Sequence, residues 1–172
     1  MSNNWKTLEG EPINDLYLAI RTESEKVETE GGDLVAYVGC DGQNIGRLYT
    51  SFVQVVCLHT IRASGQGGGG RVFFVRHLEK RYKDKTQRLL REAELAIKLA
   101  QRLHPLFDEL GILFEVHADV NSDPKWLSNR VHDTVKGWIE AMGFQCKTKP
   151  NGSFAASIVA DRHTRSIKIK KR

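Results

Sequence analysis

The chain has 172 residues, of which 40% are hydrophobic and 27% charged, which is typical of one globular domain rather than a disordered or fibrous protein. No stretch approaches the ~18 uncharged apolar residues of a membrane span, and no signal peptide is visible, so we expect a cytoplasmic protein without a membrane partner. The three cysteines lack paired spacing and predict free thiols rather than a zinc site or a disulfide framework.

The formal net charge is +5, and four of the positive charges lie within residues 166–172, at Lys168, Lys170, Lys171 and Arg172. A basic tail of this kind suits contacts with phosphate groups. Isoleucines alternate with its lysines, however, as they do in an edge strand that carries charged side chains. The charge therefore allows a nucleic-acid partner without requiring one.

Residues 1–33 are predicted to form a helical arm ahead of the rest of a single domain that spans residues 1–172. Pro12 suits the first turn of a helix, and an apolar face follows at Ile13, Leu16, Ile20 and Val27. We expect this arm to pack against a sheet.

Three strands are predicted next. Residues 34–40 are almost continuously apolar, which is typical of a central strand buried on both faces. Two further β-rich stretches, 47–62 and 71–75, flank the glycines of 65–70, and this pattern predicts an antiparallel hairpin with a glycine-rich tip. The glycine run does not open a helix and lacks the lysine–serine pair of a phosphate-binding loop.

Helices and strands alternate in the second half of the chain. The predicted elements are a helix at 84–107, a strand at 112–120, a helix from Asp123 to Gly143, a strand at 144–148 and a helix at 153–164. Trp126 and Trp138 are expected in the core. The fold class is therefore α/β, with the order β-β-β-α-β-α-β-α around a mixed five-stranded sheet and an extra N-terminal helix.

Four acids occupy positions that are unusual for a carboxylate. Asp41 directly follows the buried strand 34–40, and an unpaired carboxylate is costly there. Alternation along 112–120 places Asp119, together with His117, on the face opposite the apolar side chains. Glu92 lies at the border of the apolar stripe of its helix, and Asp161 interrupts a stretch of small residues.

Clustered carboxylates are the ligands that hard cations such as Mg²⁺ and Mn²⁺ prefer. Two such ions, roughly 3.5 to 4 Å apart, stabilise the attacking and leaving oxygens of an in-line phosphodiester displacement. The chain contains 21 aspartates and glutamates, so spacing alone also fits four unrelated acids. The pattern suggests a two-metal site and does not require it.

Four blocks contain these acids, at residues 38–43, 88–92, 117–119 and 149–161. Through these blocks the sequence resembles the YkuK-type family of predicted RNase H-related nucleases, a family of unknown function. The resemblance covers about residues 34–165. It implies an RNase H-like fold, Mg²⁺ or Mn²⁺ held by Asp41, Glu92, Asp119 and Asp161, and a nuclease that hydrolyses RNA, DNA or a hybrid.

Other side chains are candidates for supporting roles. His117, Gln43 and Ser157 are candidate auxiliary residues, although a histidine satisfied by neighbouring polar groups explains His117 equally well. The candidate nucleic-acid contacts are cations, namely Lys80, Arg81, Lys85, Arg88, Lys168 and Lys170. A solvated helix entry explains the basic run near residue 85 at least as well.

Two other functions fit the same scaffold. One is a catalytically silent RNase H-like module that binds nucleic acid, and the other is a protein-interaction domain. Strand preference, endo- or exonuclease action, oligomeric state and pathway are not encoded in these motifs.

Overall fold

The computed structural model of the protein describes residues 4–62, 64–65, 67–152 and 154–165. A mixed sheet of seven strands lies at its centre, and in chain order these are β1 (Trp5–Thr7), β2 (Pro12–Ile13), β3 (Gly32–Ile45), β4 (Tyr49–Arg62), β5 (Gly67–Lys80), β6 (Leu113–Asn121) and β7 (Cys146–Lys149). The helices are α1 (Leu16–Thr29), α2 (Lys85–Glu109), α3 (His132–Ala141) and α4 (Asp161–Arg165). A 3₁₀ helix at Leu127–Val131 precedes α3, and a π-helical segment at Phe154–Ala160 precedes α4.

The strands follow the order β2-β1-β5-β4-β3-β6-β7 across the sheet. Strand β3 is antiparallel to β4 and parallel to β6, so the three-strand meander and the later parallel strands join along β3. The predicted order of elements from β3 onward is confirmed, but the prediction of five strands is wrong. Two short N-terminal strands extend the sheet beyond β5, and Pro12 lies in the outermost one, where its missing N–H leaves no ladder bond unmade.

Strand β3 is buried on both faces, as predicted. Leu34, Ala36 and Val38 belong to the core on the side of the sheet that packs against α1, α2 and α3. The opposite side forms a smaller apolar cluster in which Val55 of β4 packs with Ala155 and its neighbours in the π-helical segment. The sheet thus lies between two helical layers, and each layer delivers side chains to the same end of β3.

The N-terminal helix begins later than predicted. Asp15 caps α1 by accepting hydrogen bonds from the backbone N–H groups of Tyr17 and Leu18, so the helix starts at Leu16. Ile20 and Val27 are buried as expected. The placement of Pro12 in a first helical turn is wrong, because this residue is in β2.

The glycines of residues 67–70 belong to β5 instead of a hairpin tip. A Cβ atom at Gly70 would lie 2.4 Å from the carbonyl oxygen of Leu58, and one at Gly68 would lie 2.9 Å from the Thr60 side chain. The glycines therefore allow β4 and β5 to approach closely, and the prediction of a loop here is wrong.

The segment after β6 also differs from its prediction. Asp123 stabilises a turn, accepting a hydrogen bond from Lys125 N–H through its carboxylate and from Trp126 N–H through its carbonyl, and the α-helix begins only at His132. Trp126 and Trp138 are 60% and 37% exposed, so their assignment to the core is wrong. The buried stripe of this segment is formed by Val131, Val135 and Ile139.

The final helix, predicted as regular over 153–164, is π-helical at Phe154–Ala160 and α-helical only from Asp161. This segment packs directly on Gly39 of β3, where a Cβ atom would lie 2.8 Å from the backbone nitrogen of Ala156. Within the described part of the chain, no helix has both the length and the apolar character needed to cross a membrane.

Candidate metal centre

One cavity of about 380 Å³ is lined by all four predicted acids, Asp41, Glu92, Asp119 and Asp161. Its position follows from the register of the sheet. The parallel pairing of β3 and β6 ends at Gly39 and His117, so Asp41 and Asp119 each lie two residues beyond the last pair, where the strands diverge. The structure therefore brings together four acids that are distant in sequence.

The other two acids arrive from opposite helical layers. Asp161 is the first residue of α4, directly after the π-helical segment that packs on Gly39. Glu92 comes from α2, and its Oε1 would lie 2.9 Å from a Cβ atom at position 42, which is a glycine. The absence of a side chain at Gly42 lets the Glu92 carboxylate reach β3.

Burial and mutual repulsion shift the proton equilibria of two acids. Asp41 is only 8% exposed, and burial raises its pKa to about 6, with further upward contributions from the charges of Asp161 and Asp119. Burial also raises the pKa of Glu92 well above its usual range, and the charge of Asp41 adds to this effect. These couplings are those of one carboxylate cluster whose mutual repulsion the nearby Arg88 offsets only in part.

Glu92 has an oxygen suited to a cation. Its side chain is 5% exposed, and among the described residues Oε1 has no hydrogen-bond partner. The nearest cation is the Nε of Arg88, at 3.3 Å and one helical turn earlier in α2. This ion pair with Arg88 compensates part of the charge of the buried carboxylate, and a bound cation or a proton would compensate the rest.

Thr164 was missed by the sequence analysis. Its hydroxyl lies 2.5 Å from Oδ2 of Asp41 and 2.6 Å from the carbonyl oxygen of Ala160, and it donates to one of them at a time. The bond to Asp41 opposes the upward shift of the Asp41 pKa. The available signal was its spacing, because Thr164 follows Asp161 by three residues and so lies on the same side of a helical turn.

Lys149 is a second residue whose role was missed. Its Nζ lies 2.6 Å from Oδ1 of Asp119, and this ion pair is partly exposed. Lys149 ends β7, which runs parallel to β6, and this topology places the ammonium group beside the carboxylate. The sequence contained Lys149 at the start of a family block but offered no reason to pair it with Asp119.

The predicted cations divide into three groups. Lys85 and Arg88 line the cavity, as does Lys149. Lys80 ends β5 without lining the cavity, and the Arg81 side chain donates a hydrogen bond to the carbonyl of Gly46. The remaining two candidates, Lys168 and Lys170, lie outside the described residues.

The three auxiliary candidates occupy different places. Gln43 is exposed and lines the cavity. His117 is buried away from it, with Nδ1 accepting a hydrogen bond from Ala155 N–H at 3.1 Å and the ring stacked on Tyr37 at 4.8 Å. Ser157 lies in the π-helical segment and is not among the residues that line the cavity. The geometry of His117 favours a satisfied structural histidine over a proton shuttle.

The side chains of the cavity offer oxygen ligands of the kind that a divalent ion takes. Within the parts of the chain that the structure describes, no three carboxylate, thiol or imidazole side chains are arranged to hold a metal ion. The donor set nevertheless fits a hard cation, since four carboxylates line one cavity and one buried oxygen has no hydrogen-bond partner. The fit is therefore chemical, resting on the ligand types.

A family model described as Ribonuclease H-like matches residues 18–165, a range that contains the four acids, Thr164 and Lys149. No curated protein and no solved structure matches the chain significantly.

Proposed function

The chain belongs to the ribonuclease H-like family, of the YkuK type and without an assigned function, and from this premise we propose that it is a metal-dependent nuclease. The substrate class is a phosphodiester of RNA, DNA or a hybrid, and water is the nucleophile. The observation that supports the proposal is the convergence of Asp41, Glu92, Asp119 and Asp161 on one cavity.

Asp41, Glu92, Asp119 and Asp161 would hold Mg²⁺ or Mn²⁺. Two such ions would stabilise the attacking water and the leaving oxygen of an in-line displacement. The raised pKa values of Asp41 and Glu92 indicate that the cluster carries protons which cation binding would release. The affinity for the ion is therefore expected to rise with pH.

The cations of the cavity would bind the phosphate backbone. Lys85 and Arg88 come from the first turns of α2 and line the cavity together with the carboxylates, and Arg88 also forms an ion pair with Glu92. Lys149 neutralises Asp119 in the structure, and a divalent ion bound to Asp119 would compete with it and leave the ammonium group for phosphate.

The second candidate is the silent nucleic-acid-binding module, and the Lys149–Asp119 ion pair is the observation that favours it. At 2.6 Å this pair already compensates one of the four acids. Protons and Lys149 partly balance the negative charge of the carboxylates. The other cations of the cavity then remain available for phosphate without a bound metal ion.

The two candidates are separated by one experiment. The purified chain is incubated with Mn²⁺ or Mg²⁺ and end-labelled single-stranded RNA, single-stranded DNA, duplex and hybrid, and both cleavage and binding are measured. A nuclease cleaves at least one substrate, loses activity with a chelator, and loses it again in Asp41→Asn. The matched control is Asp33→Asn, an exposed acid eight residues earlier on the same strand.

Binding that persists without cleavage, and that Asp41→Asn leaves unchanged, would identify the silent module. Failure to bind any nucleic acid at low salt, where phosphate contacts are strongest, would instead indicate a protein-interaction domain.

A further inference from the structure

Trp126 lies beside the carboxylate cavity with most of its indole exposed. It is 60% exposed, and it lines the same cavity as the four acids. Among the described residues it has no aromatic ring stacked on it, and it contributes little to the core. An exposed indole at a charged cavity leaves a large flat apolar face available to a ligand.

The backbone of Trp126 is held by its neighbours. Its N–H donates to the carbonyl of Asp123 at 3.0 Å, and its own carbonyl accepts from the N–H of Asn129 at 3.0 Å. A further hydrogen bond holds the segment between β6 and the 3₁₀ helix, where Asn121 N–H donates to Ser128 Oγ at 3.2 Å. The ring therefore extends from a turn whose backbone is held by hydrogen bonds, and little backbone conformational entropy is lost when a ligand packs on the ring.

The groups around the cavity match the parts of a nucleotide. Lys85 and Arg88 supply positive charge for phosphate, and Trp126 supplies an aromatic face. The carboxylates line the part of the cavity where the phosphodiester would react. Stacking of a base on an aromatic side chain tolerates any base, because every base has a π-face. A base inside an uninterrupted duplex has neighbours on both faces and cannot offer one to an indole.

We propose that Trp126 is a stacking platform for an unpaired nucleobase beside the phosphate held in the cavity, and that the protein therefore prefers single-stranded nucleic acid. This inference rests on the proposed function, because it uses the same cavity. It adds the substrate class, which the four acids do not specify, since carboxylates act on the phosphodiester and not on the base.

The test measures binding apart from cleavage. Fluorescence anisotropy is recorded in Ca²⁺, which takes the same oxygen ligands, with gels to verify that the oligomers stay intact. The probes are single-stranded RNA, single-stranded DNA, an abasic DNA strand of equal length and a blunt duplex. The variants are Trp126→Ala and Trp126→Phe, and the control is Trp138→Ala, an exposed tryptophan of α3 that does not line the cavity.

Trp126→Ala should weaken binding of the single strands by about 5- to 150-fold, the change that corresponds to the ~1–3 kcal/mol of one stacked base. The abasic strand should bind Trp126→Ala as well as it binds the wild type. Trp126→Phe should keep most of the affinity, and Trp138→Ala should keep all of it. The difference between the RNA and DNA arms then identifies the sugar that the cavity accepts.

Equal weakening of abasic and normal strands by Trp126→Ala, or no weakening of either, overturns the stacking platform. So does a wild-type protein that prefers the duplex. If Trp126→Ala fails to fold, as judged by circular dichroism, Trp126→Phe is compared with a replacement of Trp126 by cyclohexylalanine, which is apolar but not aromatic. Equal affinity of these two variants for the single strands then overturns the stacking platform. Cleavage is measured separately in Mn²⁺. Stacking without hydrolysis would reject only the proposed nuclease activity, and hydrolysis without stacking would reject only the proposed role of Trp126.

Discussion

Asp41 is the residue at which burial, hydrogen bonding and charge repulsion meet. Its folded-state pKa of about 6 lies above the 3.8 of an unperturbed aspartate, so between about pH 4 and pH 6 the folded protein holds a proton that the unfolded chain has released. The neutral carboxyl thus contributes stability that is fully present below pH 4 and is lost as the pH rises through 6. A bound cation would reverse this dependence by favouring the ionised form.

Asp41→Asn tests this directly in the metal-free protein. Because asparagine stays neutral, the variant should exceed the wild type in free energy of unfolding by roughly 2 to 3 kcal/mol at pH 8 and by almost nothing at pH 4. Urea denaturation with a chelator present measures the difference. Added Mn²⁺ should stabilise the wild type and not the variant.

Asp33→Asn serves again as the control, since this exposed acid of β3 lies outside the cavity. A difference between Asp41→Asn and wild type that is equal at both pH values would contradict a raised pKa at Asp41.

Thr164 acts on the centre through Asp41. Thr164→Val keeps the shape and removes the hydroxyl, so we expect a further rise in the Asp41 pKa, weaker Mn²⁺ binding in calorimetry, and a loss of about 1 to 3 kcal/mol of stability at pH 8. Thr29→Val is a matched control, because the Thr29 hydroxyl makes the same bond to a carbonyl four residues earlier, at an exposed position of α1. It should change stability by no more than ~0.5 kcal/mol and leave Mn²⁺ binding unchanged. An unaltered Mn²⁺ affinity in Thr164→Val would mean that the hydroxyl serves only the helix.

At the scale of elements, the π-helical segment decides where Asp161 lies. It packs on β3 at Gly39, and α4 behind it is anchored by the stacking of His163 on Phe74, with ring centroids 4.0 Å apart, and by the Thr164–Asp41 bond. A strand glycine is thus required for the close approach of this segment to the sheet.

Gly39→Ala should push this segment away from β3. The added Cβ would lie 2.8 Å from the backbone nitrogen of Ala156, so we expect a loss of about 1 to 3 kcal/mol in the free energy of unfolding and weaker Mn²⁺ binding as Asp161 moves. Gly137→Ala is the control, because a Cβ at this exposed position of α3 meets nothing within 4 Å. It should stabilise the protein by up to ~1 kcal/mol. Equal effects of the two substitutions would contradict the close contact at Gly39.

At the scale of the whole molecule, charge is arranged so that cations surround an acidic centre. The cavity combines four carboxylates with Lys85, Arg88 and Lys149, so under the proposed function phosphate binding and cation binding would support each other. The overall charge of +5 adds little to this local pattern, since four of the positive charges lie in the last seven residues.

Lys85→Gln should make binding of single-stranded nucleic acid less dependent on salt. Removal of one phosphate contact is expected to lower the slope of log affinity against log salt concentration by about 0.7. Lys136→Gln is the control, because Lys136 lies on α3 near Glu140 and does not line the cavity. Identical slopes for wild type and Lys85→Gln would place the phosphate backbone elsewhere.

The sequence by itself determined the family, the alternation of elements from β3 onward and the four acids as candidates, because these depend on local periodicity and on short motifs. It also identified the buried stripe of α2 and the two-faced burial of β3. The pattern of each strand or helix is visible within a window of a few residues, since side-chain direction repeats every 2 residues in a strand and every 3.6 in a helix.

Only the tertiary structure decided which acids share a cavity and which partners they have. Thr164 meets Asp41 across 123 positions of the chain, and Lys149 meets Asp119 through the parallel pairing of β6 and β7. The exposure of Trp126 was likewise invisible, because the sequence predicted a helix from Asp123 onward, whereas a turn stabilised by Asp123 delays the helix. Such contacts depend on strand register and on how helices pack on the sheet, and neither is written in local spacing.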